Sequence, residues 1–220
     1  MKSTKRQRSK KQKWKRFKMI VRRIFLFILM SAMVAGAVLA YNFIEADRTQ
    51  GIRNSKFETH PQWEEEFLTV NEYSRPGAKL KKVDSVYIHY TANPGTSARQ
   101  NRSYFENLAE TKEVKASAHF IIGYEGKIIQ CVPLNEIAYA VAGENDHSIS
   151  IECCYMAEDG SFTDMTYDSL IKLLQWLCDV YHLKEEDILR HYDSNGKMCP
   201  IYYVENEDAW KQLKNDVFSR

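Results

Sequence analysis

The longest uninterrupted apolar run lies close to the N-terminus. Residues 24–44 contain no charged side chain, and a helix of about 21 residues spans about 30 Å, the thickness of the hydrocarbon core of a bilayer. Residues 1–23 before it carry twelve Lys and Arg and no acidic residue. Because basic residues beside a membrane span stay in the cytoplasm, the pattern predicts a basic cytoplasmic tail at 1–23, a transmembrane helix (signal anchor) at 24–44 and export of the rest of the chain.

A cleaved signal peptide is the alternative for the same segment, and it would leave a secreted protein. Ala35-Gly-Ala37 resembles a small-residue cleavage site after an apolar stretch. The apolar run continues past that site and is longer than the roughly 7–15 residues of a signal-peptide core, which favours the anchor. In both cases the remainder of the chain is exported.

Beyond residue 44 the hydrophobic pattern is that of a polar segment followed by a folded domain. Residues 45–66 are polar and mixed in charge, which predicts a linker or a loosely held helix around Trp63. Short apolar runs then alternate with turn signals from residue 67 to residue 218. These runs predict a strand at 83–89, a helix from Ser97 to about Glu110, a hairpin at 118–132, a strand at 148–154, and helices at 167–181 and 207–218. Strands interspersed with helices predict an α/β domain at 67–218, with a central mixed β-sheet flanked by helices.

The distribution of charge along the chain is the feature of the composition that bears most on the choice of partners. The chain is 44% apolar and 27% charged, as a globular protein is, with a formal net charge of +2. Outside the basic tail there are 19 basic and 29 acidic residues, so the body of the protein is acidic. A basic tail can bind nucleic acid, but the membrane span would separate it from the body. We therefore expect no nucleic acid, and anionic lipid at about 1 kcal/mol per Lys or Arg as the partner of the tail.

Candidate chemistry is concentrated in the segment from Arg190 to Pro200. It places His191 and Cys199 eight residues apart, and His89 stands at the end of a predicted strand. Two histidines and one cysteine leave one position of a zinc ion open for water, the arrangement of a catalytic zinc site. Spacing alone also fits a loop histidine and a small buried cysteine, so further signals are needed.

Five segments in this order supply those signals: Val86-Tyr-Ile-His-Tyr-Thr-Ala-Asn-Pro-Gly95, Ser117-Ala-His-Phe120, His147-Ser-Ile-Ser-Ile-Glu152, Arg190-His-Tyr-Asp193 and Gly196-Lys-Met-Cys-Pro200. Together they resemble the zinc-dependent N-acetylmuramoyl-L-alanine amidases, a family of phage and bacterial cell-wall lysins related in fold to the peptidoglycan recognition proteins. The resemblance covers about residues 67–218. It implies a mixed sheet with flanking helices, and hydrolysis of the amide between N-acetylmuramic acid and the L-alanine of the peptidoglycan stem peptide.

The same resemblance implies roles for five residues. His89, His191 and Cys199 match the zinc ligands, and zinc in such a site lowers the pKa of a water that it binds to roughly 7. Glu152 matches the general base, which agrees with its position in an otherwise apolar strand, where a carboxylate needs a cation or proton as partner. Lys197 matches the lysine that polarises the scissile carbonyl and stabilises the oxyanion.

The chain departs from the family pattern at two positions. Ala118 stands where many members have a tyrosine, so a tyrosine-assisted mechanism is unsupported, and Val141 stands where many have a histidine that contacts substrate. His119 is expected to be a buried strand residue near the site. The other histidines are expected to serve packing or the surface: His60, His147 and His182.

Four further cysteines and one rival function remain open at this level. Cys131, Cys153, Cys154 and Cys178 could form disulfides in an exported protein, for example Cys131 with Cys153 or Cys154 if their strands are neighbours. The rival function is a non-hydrolysing sensor or anchor of the same fold that binds peptidoglycan. The thiolate of Cys199 favours the enzyme, since non-hydrolysing relatives of this fold typically lack it.

Overall fold

The computed structural model describes residues 14, 18–19, 21–22, 24–31, 33–42 and 60–219. The chain divides into two compact units, Met1–Ser55 and Lys56–Arg220. Most of the predicted tail at 1–23, and residues 43–59 of the predicted membrane span and linker, lie outside the described residues.

The N-terminal unit contains helix α1, Ile24–Asn42. Among the described residues it is the one helix long and apolar enough to cross a bilayer, and its large apolar side chains are exposed. It lies within the predicted apolar run at 24–44. A signal sequence near an N-terminus satisfies the same criteria of length and composition.

The C-terminal unit is built on a six-stranded sheet with the strand order β1-β4-β3-β5-β2-β6. The strands are β1 Glu64–Glu65, β2 Ser85–Tyr90, β3 Phe120–Ile122, β4 Ile128–Gln130, β5 Ser148–Cys153 and β6 Ile188–Arg190. Only the β3–β4 pair is antiparallel, and the other neighbouring pairs are parallel. The prediction of a mixed sheet flanked by helices is confirmed.

Five helices accompany the sheet: α2 Ala98–Thr111, α3 Asp164–Tyr181, α4 His191–Asn195, α5 Ile201–Glu205 and α6 Glu207–Phe218. Ser97 caps α2, as predicted, through a reciprocal pair of hydrogen bonds with Gln100. Thr163 caps α3 by accepting a hydrogen bond from the Thr166 backbone N–H. The two predicted long helices are therefore confirmed to within a few residues at each end.

The two faces of the sheet bury separate apolar clusters, because successive side chains of a strand point to opposite faces. On one face, residues of β2, β3 and β5 pack against α3 and α6, including Ile88, Phe120, Ile151, Leu173, Leu177 and Leu213. On the other face, residues of the hairpin strands pack against α2, including Ile121, Ile129, Phe105 and Leu108. A sheet covered on both faces explains why β3 and β4 read as nearly continuous apolar runs.

The β3–β4 hairpin turns through residues 123–126, as the sequence predicts. Gly126 has φ +81°, and a Cβ at this position would lie 2.8 Å from the backbone oxygen of Met165 on α3. Both the left-handed backbone and the close approach of the helix therefore require glycine.

The sheet extends into the segment predicted as the linker 45–66. Strand β1 pairs in parallel with β4, and Trp63 packs edge-on against Phe120 and Trp176. The sequence does not indicate this strand, because its two residues, Glu64 and Glu65, are exposed acids without an apolar pattern. Ion pairs of Glu64 with Lys127 and Arg99 accompany the pairing.

All five cysteines lie among the described residues, and none is in a disulfide. The bridges considered from the sequence required neighbouring strands for Cys131 and the pair Cys153 and Cys154. Strand β3 lies between β4 and β5, so that condition is not met. Cys131 and Cys154 also belong to the α2 side of the sheet, whereas Cys153 belongs to the α3 side.

His119 is a fully buried residue that joins three segments by its ring. Its Nδ1 accepts a hydrogen bond from the Ser150 backbone N–H at 3.1 Å, and its Nε2 lies 3.0 Å from the Glu136 carbonyl oxygen. Burial lowers the pKa of His119 to about 4, and the hydrogen bond to the Glu136 backbone opposes this shift. Both ring nitrogens are hydrogen-bonded to backbone groups, so His119 has a structural role.

We predict that this buried histidine makes stability depend on pH. Because the folded-state pKa is lower than the unfolded value near 6.5, the unfolded chain binds the extra proton, and stability falls as pH falls from about 6.5 to about 4. His119→Gln should be less stable at pH 7 but should lose less stability over that interval. Urea unfolding of residues 56–220 at pH 7.0, 5.5 and 4.5 measures both effects. An equal pH-dependent loss in the variant and the parent would contradict this role.

Candidate metal centre and active site

The candidate site lies at the carboxyl edge of the parallel strands β2, β5 and β6. In the β2–β5 pair His89 stands opposite Glu152, and in the β2–β6 pair Ile88 stands opposite Arg190. His191, the next residue after Arg190, therefore flanks His89 on the side away from Glu152. The register thus arranges His191, His89 and Glu152 in one row. Ligand sites of open α/β sheets form at this edge.

Cys199 reaches the row through a loop that folds back on α4. The Tyr192 backbone N–H donates to the Cys199 carbonyl oxygen at 3.1 Å, and the Cys199 backbone N–H donates to the Lys197 carbonyl oxygen at 2.7 Å. Cys199 is 2% exposed, whereas residues 192–198 between the two candidate ligands are exposed. The loop thus places one buried thiol at the end of a segment that is otherwise exposed to solvent.

Three potential ligand atoms converge at this point. His89 Nδ1 lies 3.1 Å from His191 Nδ1 and 3.7 Å from Cys199 Sγ. All three atoms lie within 4.8 Å of one another, and all three residues are buried. Tetrahedral zinc, with Zn–N near 2.0–2.1 Å and Zn–S near 2.3 Å, separates its ligand atoms by about 3.3–3.6 Å. The donor set therefore fits zinc, and both distances from His89 Nδ1 lie within about 0.2 Å of this range.

Both histidines are held in the neutral form that a metal requires. Burial, with smaller contributions from the neighbouring His191 and from the positive charge of Lys197, lowers the pKa of His89 well below its ordinary value. Burial lowers the pKa of His191 to about 4, and Lys197 acts in the same direction. Their nitrogen lone pairs are accordingly not occupied by extra protons at neutral pH.

The two acidic groups of the site are held uncharged by the same environment. Burial raises the pKa of Glu152 to about 8, against a lowering by Lys197. Burial and the charge of Glu152 raise the pKa of the Cys199 thiol to about 12. A divalent cation beside these groups would favour their ionised forms, because it supplies the opposite charge that the protein lacks here.

Two buried polar atoms of this row have no hydrogen-bond partner: His89 Nε2 and Glu152 Oε2. Glu152 as a whole is partly exposed, although its Oε2 is buried. Buried polar atoms are normally paired, and an unpaired one indicates a functional group whose partner arrives with a ligand. The clustering of such atoms beside the three ligand atoms marks this edge as the candidate active site.

Lys197 contributes charge from the rim of the site. Its side chain is exposed, and its charge lowers the pKa of Glu152, Cys199 and both histidines. Its backbone N–H donates to Asn195 Oδ1 at 3.1 Å. In the described part of the chain, Lys197 is the one lysine or arginine whose charge lowers the pKa of all four groups.

Sequence reasoning did not single out Asn195. Its side-chain amide lies 3.3 Å from His191 Nε2, on the side of the ring away from His89. The signal was present in the sequence, since residues four apart on a helix share a face. Three further residues discussed from the sequence are buried and lie outside the ligand cluster: Ala118, His119 and Val141.

Comparison with known proteins agrees with this geometry. Residues 79–201 match the family model described as N-acetylmuramoyl-L-alanine amidase. The chain is 36% identical over 172 residues to the N-acetylmuramoyl-L-alanine amidase BlyA of Bacillus subtilis (strain 168), covering 69% of this chain and 45% of that protein. It is 34% identical over 166 residues to the amidase CwlL of Bacillus licheniformis, with 70% and 46% covered. The chain thus spans less than half the length of these relatives.

Solved structures show the same fold. A mutant endolysin from Bacillus subtilis is similar with a TM-score of 0.60 at 27% identity, covering 71% of this chain and 98% of the endolysin. The catalytic domain of XlyA gives a TM-score of 0.61 at 24% identity, covering 71% and 99% of the two chains, and supports the fold alone. Since the family model spans more than half of its length, the chain belongs to the N-acetylmuramoyl-L-alanine amidase family.

Proposed function

We propose that the protein is a zinc-dependent hydrolase of peptidoglycan that cleaves the amide between N-acetylmuramic acid and the L-alanine of the stem peptide. One observation carries this proposal: the ligand atoms of His89, His191 and Cys199 converge beside the unpartnered, buried carboxylate oxygen of Glu152. Family membership supplies the substrate class.

In this proposal the metal is held by His89 and His191 through Nδ1 and by Cys199 through Sγ. A thiolate and two neutral imidazoles are ligands that zinc prefers. When bound, Zn²⁺ supplies a Lewis acid that makes water nucleophilic near neutral pH.

Glu152 is the proposed general base. Its carboxylate takes a proton from the attacking water as the carbon–oxygen bond forms at the amide carbonyl. It then gives that proton to the amide nitrogen as the carbon–nitrogen bond breaks, so that the products are a carboxylic acid and a free amine. Burial raises the pKa of this carboxyl to about 8, so its surroundings favour a side chain that can carry a proton.

Lys197 is proposed to stabilise the charge that develops during attack. The carbonyl oxygen becomes negative in the tetrahedral transition state, and an ammonium at the rim of a buried site favours that charge. Exposure of the side chain leaves it free to approach a bound substrate. The rival function, binding without hydrolysis, would need neither this cation nor the buried base.

The domain organisation is proposed to follow the sequence prediction, with a cytoplasmic tail at 1–23, a membrane anchor at 24–44 and an external catalytic domain. Helix α1 supports an anchor by its length and composition. Strand β1 begins at Glu64, so about 19 residues lie between the proposed anchor and the first strand of the domain. At full extension they span at most about 70 Å, which would confine hydrolysis to the wall nearest the membrane.

The first prediction from this proposal concerns the metal. The purified exported domain should contain one zinc per chain and lose activity in a chelator, and Cys199→Ala should lose most of its zinc because one of three protein ligands is gone. Cys131→Ala is the matched control, since it removes a buried thiol outside the ligand cluster. Elemental analysis checks the prediction, and full zinc with parent-like turnover in Cys199→Ala would refute it.

The second prediction separates metal binding from proton transfer. Glu152→Gln preserves the shape of the side chain and should retain zinc, while its rate of hydrolysis should fall by about 10²–10⁴, the usual contribution of a positioned general base. Mass spectrometry of muropeptides after digestion measures the products. Retained zinc with near-parent turnover would favour another base, and intact muropeptides from the parent itself would favour the non-hydrolysing binding module.

The third prediction concerns the anchor. The full chain of 25.7 kDa should fractionate with membranes. A protease added outside cells stripped of their wall should release the domain and leave the basic tail protected. A mature secreted form that begins near Val38 would instead establish signal cleavage, and it would leave the proposed hydrolysis unaffected.

A further inference from the structure

The residue that precedes the metal-ligand candidate His191 is a buried arginine. Arg190 is 7% exposed and ends strand β6. A buried charge is costly unless it is paired and fully hydrogen-bonded, so a charge at this depth needs several partners. Its guanidinium does not belong to the ligand cluster, and the proposed chemistry does not use it.

The first group of contacts ties Arg190 to helix α4. Its Nη2 donates to Asp193 Oδ1 at 2.8 Å, and its Nε lies 3.2–3.3 Å from the two carboxylate oxygens of Asp193. The Arg190 backbone N–H also donates to Asp193 Oδ2 at 2.8 Å. This fork holds the first turn of α4, and the first residue of α4 is His191.

The second group ties the same side chain to α5 and α6. Its Nη1 donates to the Tyr203 carbonyl oxygen at 2.8 Å and to Glu207 Oε2 at 2.8 Å. The guanidinium also lies 5.2 Å from the ring centre of Trp210 on α6 and 5.4 Å from that of Tyr192 on α4. Helix α5 starts two residues after Cys199, so these contacts hold the segment that follows the thiol.

The chain between the two ligands is exposed, and a backbone hydrogen bond from Tyr192 N–H to the Cys199 carbonyl oxygen joins its ends. Residues 192–198 are exposed, and the buried positions of this stretch are its ends, His191 and Cys199. The separation of the two ligand atoms therefore depends on how firmly the segments that carry them are fixed to one another. Arg190 is bonded to both segments, to α4 through Asp193 and to α5 through Tyr203.

We propose that Arg190 is a positioning residue of the metal centre, which holds His191 and Cys199 at metal-binding separation by clamping α4 to α5 and α6. The proposal rests on the proposed zinc site. Lysine cannot replace the fork, because an ammonium is a point charge and cannot bond a carboxylate in bidentate fashion while it also bonds two other acceptors in fixed directions. Positioning groups of this kind change metal affinity by about 10–100-fold when they are removed.

Arg75 makes contacts similar to those of Arg190 and provides a matched control for a substitution of Arg190. Its guanidinium forms a bidentate pair with Glu136 at 2.8 Å for each bond and donates to the Leu68 carbonyl oxygen at 2.7 Å. The Arg75 side chain is 16% exposed. It thus combines a carboxylate fork with a backbone carbonyl, as Arg190 does, but its partners are remote from the ligand cluster. Arg75→Lys and Arg190→Lys therefore remove the same type of interaction.

The experiment compares the full-length parent, Arg190→Lys and Arg75→Lys in detergent. Competition with a chromophoric chelator gives the zinc dissociation constant, and the visible spectrum of the Co²⁺-loaded proteins reports ligand geometry independently of activity. We expect Arg190→Lys to raise the dissociation constant by about tenfold or more and to shift the cobalt bands. We expect Arg75→Lys to lower the midpoint of thermal unfolding with the dissociation constant within about twofold of the parent.

A second variant keeps the test decisive if Arg190→Lys does not fold. Glu207→Gln removes the negative charge of one partner, whose side chain is 55% exposed. It should raise the zinc dissociation constant by about threefold or more while the protein stays folded. Equal zinc affinity and cobalt spectra in the Arg190 or Glu207 variant and the Arg75 variant would overturn the positioning role alone. A parent protein that binds no zinc would overturn the proposed function together with it.

Discussion

The parallel pairing of β2 with β5 and β6 is the constraint on which the candidate site depends. A strand side chain alternates between two faces, so a register shift of one residue would send His89 into the α3 side of the core and Ile88 into the site. The apolar residues next to His89 and Glu152 prevent that shift, because each is buried on the opposite face. The hydrophobic core therefore sets the register, and the register sets the distance between the groups that carry chemistry.

The site concentrates groups whose charged forms are disfavoured by burial. The same desolvation that keeps His89 and His191 neutral raises the pKa of Glu152 and Cys199. In the absence of a cation the row would be an uncharged cluster with unpaired polar atoms. A divalent ion reverses this balance, since it supplies the positive charge that the thiolate and the carboxylate need. Zinc binding and the reactive protonation states are thus coupled in the proposed function.

Strand-borne and loop-borne ligands are positioned by different means. His89 belongs to a central strand with neighbours on both sides, so backbone hydrogen bonds fix it. Cys199 follows an exposed loop, and the position of that loop depends on side-chain contacts at its ends. The clamp formed by Arg190 with Asp193, Tyr203 and Glu207 supplies these contacts in our proposal. A site built partly from a loop needs such support to keep its ligands within the tolerance of a metal ion.

The sequence by itself determined the local elements, because apolar periodicity, helix caps and the Gly126 turn act over a few residues. The motif around His191 also indicated the family and the candidate ligands. The sequence did not reveal β1, whose Glu64-Glu65 pair has no apolar signal, or the contact of Asn195 with His191. Only the tertiary structure decided which distant groups meet. His89 and His191 are 102 residues apart in the chain, and their 3.1 Å approach results from strand pairing and core packing, which are properties of the whole fold.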